Sequence, residues 1–420
     1  MKKISPYITQ NIRLQDISTR VEFPQIKEAG YYCIFWWKDI PLGQLFIEKD
    51  QEPAQKELNQ KVFHAIEQTI EFYIVQQKLV RSDYKKAYFN NNQELFKEEM
   101  DRIFFSLLPD SLPDTVDVSI VICTRNRSIH LQNCLERLKS QRCFPREIIV
   151  VDNAPSDESS RIVVEKFPGI IYCREPLPGL DIARNAGAKL AKGNIIAYVD
   201  DDVLVHPLWT YRTWESFLHK DITATTGLVI AAELQTEAQQ IFEKFWSFNR
   251  GYEDKIYDSE FFNKNLKEGP PVWEIGAGAN MAFRKSVFEE VGYFDRRLDV
   301  GAAGCSGDSE IWFRILAHGG TILYSPRSVV YHEHRKELRQ LHKQLFNYMR
   351  GFAAAALIQQ EHYRQAGYKK RLFRSLPKNY FSTIVNAFPH YSFQNRTIFS
   401  EIRGVVSGIF FYYKNKNTSS

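Results

Sequence analysis

Asp200, Asp201 and Asp202 stand in a row at the end of an apolar run, NIIAYV. Three adjacent carboxylates repel one another unless something neutralises them. A hard divalent cation, Mg2+ or Mn2+, does so through oxygen ligands. Asp200 and Asp202 are two apart, which puts both on one side of an extended segment. A solvated acidic turn is disfavoured directly after so apolar a strand. His332 and His334 follow the apolar run at 328–331 and share one side in the same way. One can ligate a metal while the other bonds substrate or solvent. Asp308 follows a glycine-rich stretch, 301–307, and opens an amphipathic helix in GDSEIWFRI. It reads equally as an N-cap or as a base presented by a helix terminus. CTRNR at 123–127 offers a hydroxyl and planar cations to a nucleotide or phosphate, or else a turn with solvated arginines. VVDN at 150–153 offers a carboxylate that accepts from a base or ribose, or that caps the next loop.

These groups need elements that bring them together. Residues 118–123 (VSIVIC), 147–152 (EIIVVD), 169–173 (GIIYC) and 194–200 (NIIAYVD) read as strands. They alternate with helical spacing at 127–140, 156–167 and 180–191. Strands buried on both faces and separated by helices imply a parallel sheet with right-handed crossovers. Ligands bind beyond the carboxyl ends of such strands, which places the chemistry at Thr124, Asn153 and Asp201. Before this core, residues 1–110 look like a small separate unit. Two strands flank a turn at 38–43, a helix follows over 53–78, and a Pro- and Asp-rich linker runs over 108–117. After residue 331 the chain turns helical and basic, with small residues at 351–356.

With 420 residues the chain suits two or three domains, and its 44% hydrophobic and 25% charged content excludes a disordered, collagenous or disulfide-dense protein. The net charge of +5 hides an asymmetry: residues 335–420 hold 15 Lys and Arg against three acids. A basic, aromatic-rich tail on a mildly acidic body suggests an anionic partner for the tail, or a solvated helical face. Six cysteines without CxxC or zinc spacing read as buried free thiols in a reducing compartment. No secretory signal is expected at the start, and no uncharged apolar run reaches the ~18 residues of a span. The expected location is cytoplasmic, peripheral at the inner face of the cell membrane.

In this order and spacing, VSIVICTRNR, VVDNAPSD, GLDIARNAGAKLAKGNIIAYVDDD, GAGANMAFRKSVFEEVGYFD and GDSEIWFRI resemble a bacterial family 2 glycosyltransferase. The resemblance spans about 118–334. It implies an α/β GT-A fold, the Rossmann-like mixed sheet of nucleotide-diphospho-sugar transferases. A small N-terminal module (1–116) precedes the catalytic domain (117–335), and a helical C-terminal region (336–420) follows. It further implies that Thr124, Arg125 and Asp152 hold the nucleobase, that Arg184, Asn185 and Asp201 approach the nucleotide, and that Asp200, Asp202 and His332 hold Mn2+ or Mg2+. Asp308 becomes the base of an inverting transfer from a nucleotide sugar to a glycan or lipid-linked acceptor, in surface polysaccharide synthesis. Nucleic acid is not an expected partner. The family pattern has Glu where this chain has Gly307, so a catalytically inactive sugar-nucleotide binder stays as an alternative. A nucleotidyltransferase would carry a Gly-rich loop after the first strand, and CTRNRS has no glycine.

Overall fold

The computed structural model describes residues 5–16, 28–49, 54–80, 82–300, 302–389 and 393–416. Pro53, Gly301 and the last four residues, which bounded some of the expectations above, lie outside them.

The sheet that carries the strand-end residues is nine-stranded among the described residues. Its strands are β4 (Thr115–Thr124), β5 (Phe144–Asn153), β6 (Ile171–Glu175), β7 (Ile195–Asp200), β8 (Val203–Val205), β9 (Ile222–Ala231), β10 (Lys255–Tyr257), β11 (Asn280–Arg284) and β12 (Thr321–His332). Their order is β10-β12-β9-β11-β7-β4-β5-β6, with β8 paired to β12. The half β6-β5-β4-β7 is parallel, as the unbroken apolar runs imply. β11 runs antiparallel between β7 and β9, so the sheet is mixed. Chain order reverses at β4, flanked by β5 on one side and β7 on the other. A crevice opens at such a switch point beyond the strand ends. The register aligns Thr124 with Asp152 and Cys123 with Asp200, so three strand ends stop level with one another.

β12 sets the other side of the crevice. It pairs parallel with β9, shifts register between Ser325 and Val329, and then pairs with β8 so that His332 lies across from Val203. That register brings His332 beside Asp202. Asn280 pins the irregular stretch: its amide donates to the carbonyls of Leu228 and Ser328 while its oxygen accepts from Trp209.

Residues 5–104 hold a three-stranded sheet of β1 (Tyr7–Arg13), β2 (Gly30–Trp37) and β3 (Ile40–Ile47), plus helices at Gln55–Gln76, Tyr84–Phe89 and Gln93–Phe104. β1 was not foreseen, and it pairs parallel to β2. All eight residues of β2 are buried because both of its faces are covered. Cys33, Phe35 and Trp37 pack with Val62 and Ile66 of the first helix. Tyr32, Ile34 and Trp36 pack with Leu228, Ile230 and Val329 of the large sheet. The module therefore shares a core with the sheet that carries the site rather than standing apart.

The C-terminal region is helical. The Leu338–His362 and Ile398–Asn415 helices pack along each other. Gly404 and Gly408 face the carbonyls of Phe346 and Arg350 so closely that an added Cβ would lie 2.4 and 2.2 Å away. Among the described residues no helix is long and apolar enough to cross a membrane. All six cysteines are free, but only Cys33, Cys134 and Cys143 are buried, with Cys123, Cys173 and Cys305 partly so.

Candidate active site

A cavity of about 830 Å3 lies beyond the strand ends, lined from the sheet by Thr124, Asn153 and Asp200–Asp202, and from the other side by Asp308 and the C-terminal helices. Asp200, Asp202 and His332 each present a ligand atom, and these atoms lie within 4.8 Å of one another. The two carboxylates and one imidazole fit a divalent cation of the Mn2+ or Mg2+ kind. His332 Nε2 is the nitrogen on that side, 3.5 Å from Asp202 Oδ1.

The protein's own cations balance part of this charge. Arg127 reaches Asp201 Oδ1 at 2.6 Å and Asp202 Oδ2 at 2.7 Å, and Arg335 stands 3.8 Å from Asp202. Thr124 donates to Asp201 Oδ2 at 2.8 Å. Burial pushes the Asp201 carboxyl up to about 7 against the pull of Arg127. Burial also raises Asp200, with Arg184 opposing it. Burial alone would raise Asp202 too, but His332, Arg127 and Arg335 hold it below the usual carboxylate range. Burial lowers His332 to about 4, so its ring is neutral at pH 7 and keeps a lone pair for a metal. Asn126 makes the CTRNR turn possible: it adopts a left-handed φ of 55°, which Asn tolerates, and its side chain accepts from Ser156.

Asp308 is the second residue of the Gly307–Ala317 helix, and Ser306 is the N-cap. The N-cap reading of Asp308 therefore fails. Its Oδ2 instead accepts from the Gly278 N–H at 2.9 Å and its Oδ1 from the Ser309 N–H at 2.7 Å. Glu310, the next carboxylate on this helix, is buried and bonded on both oxygens by Arg314. Arg184 lines the cavity and is bonded to Asp181 at 3.0 Å. Asp181 fills the space where residue 307 would carry a side chain. A Cβ on Gly307 would lie 2.1 Å from Asp181 Oδ2, and its three nearest heavy atoms would all belong to that carboxylate. Burial lifts Asp181 to about 7, with Arg184 pulling it down.

Two expected nucleotide contacts sit elsewhere. Asp152 is fully buried, accepts from Tyr172 at 2.9 Å, and does not line the cavity. Successive strand residues face opposite ways, so Asn153 points to the crevice and Asp152 behind it. Asn185 clamps the backbone of Phe294 on both its N–H and its carbonyl, off the cavity. Thr124, Arg125, Arg184, the three aspartates, Asp308 and His332 do share the cavity. His334, expected to face substrate or solvent, is buried against His332 and Glu243. The spacing of residues missed Asp181, Asp299 and Glu243. Asp299 accepts from the N–H groups of Asp181 and Ile182 and so caps the Leu180–Leu190 helix from 118 residues away. No local pattern announces such partners.

Residues 119–292 match the family model described as Glycosyl transferase family 2. The chain is 25% identical over 202 residues to a glucosyl-dolichyl phosphate glucuronosyltransferase of Haloferax volcanii, covering 46% of this chain and 59% of that protein. It is 25% identical over 245 residues to the hyaluronan synthase of Pasteurella multocida, covering 52% of this chain and 24% of that one. A mannosyltransferase of Pyrobaculum calidifontis, solved with GDP-Man and Mn2+, has a TM-score of 0.47 at 16% identity, covering 74% of this chain and 93% of its own. The chain thus spans less than two thirds of the length of these curated relatives.

Proposed function

We propose, from the family 2 glycosyltransferase domain at residues 119–292, that the protein transfers a sugar from a nucleoside diphosphate to an acceptor hydroxyl with inversion. The observation that carries this reading is one cavity lined by both the Asp200–Asp202–His332 cluster and Asp308. A sugar hydroxyl is a weak nucleophile at neutral pH, and a carboxylate within reach takes its proton as the new bond forms. Asp308 takes that role. The acceptor oxygen bonds the anomeric carbon, its proton goes to an Asp308 oxygen, and the bond from that carbon to the diphosphate breaks with its electron pair. Backbone bonds from Gly278 and Ser309 hold the Asp308 carboxylate in place. Thr124, Arg125 and Asn153 serve the nucleoside end, with Asp152 behind them, and Arg184 serves the diphosphate. When bound at Asp200, Asp202 and His332, a divalent cation supplies electrostatic stabilisation to the departing diphosphate.

The acceptor is a glycan or a lipid-linked glycan, as in surface polysaccharide synthesis, presented at the inner face of the cell membrane. Supporting this, Leu376, Tyr380 and Glu401 of the C-terminal helices line the cavity, while the outer sides of the same helices expose Phe381, Val385, Phe399 and Phe410.

The test is turnover with a panel of nucleotide sugars, wild type against Asp308→Asn. Asn keeps an oxygen for one of the two backbone N–H groups but cannot take a proton. Transfer should fall at least ~10²-fold with fold and donor affinity near wild type. Full activity in Asp308→Asn would move the base elsewhere.

A further inference from the structure

Behind the proposed metal ligand runs a buried chain of polar groups that the transfer chemistry does not use. His332 Nδ1 meets His334 Nδ1 at 3.2 Å, and His334 Nε2 meets Glu243 Oε2 at 2.9 Å. Glu243 Oε1 accepts from Ser247 at 3.0 Å and lies 3.3 Å from the Tyr32 hydroxyl of β2. All three ionisable side chains are buried, and Phe242 and Phe248 wall the two rings.

The protons on this chain can be counted. A carboxylate only accepts, so His334 must carry its proton on Nε2 to bond Glu243. Where the His334 ring is neutral it has one N–H, which leaves its Nδ1 as an acceptor. His332 must then carry its proton on Nδ1, which leaves His332 Nε2 a bare lone pair. That lone pair faces Asp202 Oδ1 at 3.5 Å. Two acceptors set against each other in a buried site call for a cation between them. We propose that Glu243, acting through His334, is a positioning residue that locks His332 in the tautomer whose Nε2 is free to bind the metal. The arrangement extends the usual carboxylate–histidine–metal triad by one ring. Through Tyr32 it also anchors the metal ligand to the N-terminal module. The inference rests on the metal reading of Asp200, Asp202 and His332, and its test separates the two.

The test is 15N–1H spectroscopy of the histidine rings in metal-free full-length protein labelled at histidine, at pH 7.5. The expected result is His332 as the Nδ1–H tautomer and His334 as the Nε2–H tautomer. A proton on His332 Nε2 overturns the proposal whether or not the protein binds metal. The second arm is Mn2+ affinity by calorimetry. His334→Phe keeps the aromatic packing but removes the acceptor for His332 Nδ1–H. Affinity should weaken about 10–100-fold, the usual cost of losing such a partner, and the melting temperature in EDTA should fall, because the buried Glu243 carboxylate loses its His334 donor. His334→Gln, whose amide oxygen accepts that proton, should recover part of the loss. Unchanged Mn2+ affinity in His334→Phe overturns the positioning role. Absence of Mn2+ binding in the wild type instead overturns the metal reading and leaves the tautomers to decide the relay.

Discussion

At the scale of single residues, Gly307 is set by a neighbour and not by its own backbone. The position that the family pattern gives to Glu is occupied here by the Asp181 carboxylate, delivered from another helix. A methyl at 307 must push that carboxylate away from Arg184 or strain the helix start. Gly307→Ala should cost about 1–3 kcal/mol, typical of overpacking a dense site. In an Asp181→Ala background the same change should cost close to nothing, because the nearest obstacle is gone. Thermal unfolding of the four proteins measures this coupling. An equal cost in both backgrounds would show that backbone fit, and not Asp181, excludes a side chain at 307.

Elements decide which of these residues meet, and they were unevenly legible. Residues 118–123, 147–152 and 194–200 read as strands because both of their faces are buried, and β4, β5 and β7 contain them almost to the residue. β9 (ITATTGLVIA) hides its strand character behind four polar or glycine positions, and β11 is only five residues long. Both exist through pairing with distant strands, which no local window reports. The site divides in the same way. Asp200 and Asp202 were legible from spacing, and His332 from the strand before it. Glu243, Asp181 and Asp299 arrive by tertiary packing from helices and loops far along the chain. Asp152 lies behind the cavity that Asn153 lines, one step of strand alternation away, which sequence alone does not phase at a strand end. The C-terminal pair of helices offers a test at this scale. Gly404 and Gly408 lie one turn apart on the face toward the Leu338–His362 helix. Gly408→Leu would drive a side chain into the Arg350 carbonyl. It should destabilise by roughly 3 kcal/mol and make the last helix the first site of limited proteolysis. Unaltered melting and cleavage would mean that the helices are not held this closely.

The whole molecule joins a cavity lined by both carboxylates and arginines to a basic, aromatic outer surface on the C-terminal helices. Arg374, Lys378, Phe381 and Val385 follow one another at helical spacing, as do Phe399, Arg403, Val406 and Phe410, and all are exposed. Such stripes suit a headgroup region, where apolar side chains enter the boundary and Lys and Arg meet anionic lipid. Full-length protein should co-sediment with phosphatidylserine vesicles at low salt and much less at high salt, and Phe381→Ser with Phe410→Ser should weaken this. No sedimentation at low salt would leave these stripes as ordinary solvated faces. The central claim concerns the cavity itself and is tested most directly by calorimetric titration of UDP, GDP, CDP and dTDP into the full-length protein, with Mn2+ and with EDTA, in wild type and Asp202→Asn. The account predicts that one of these diphosphates binds wild type in the presence of Mn2+, and that EDTA or Asp202→Asn abolishes the binding while the fold persists. Binding of equal affinity with EDTA and in Asp202→Asn, or binding of none of the four, would contradict it.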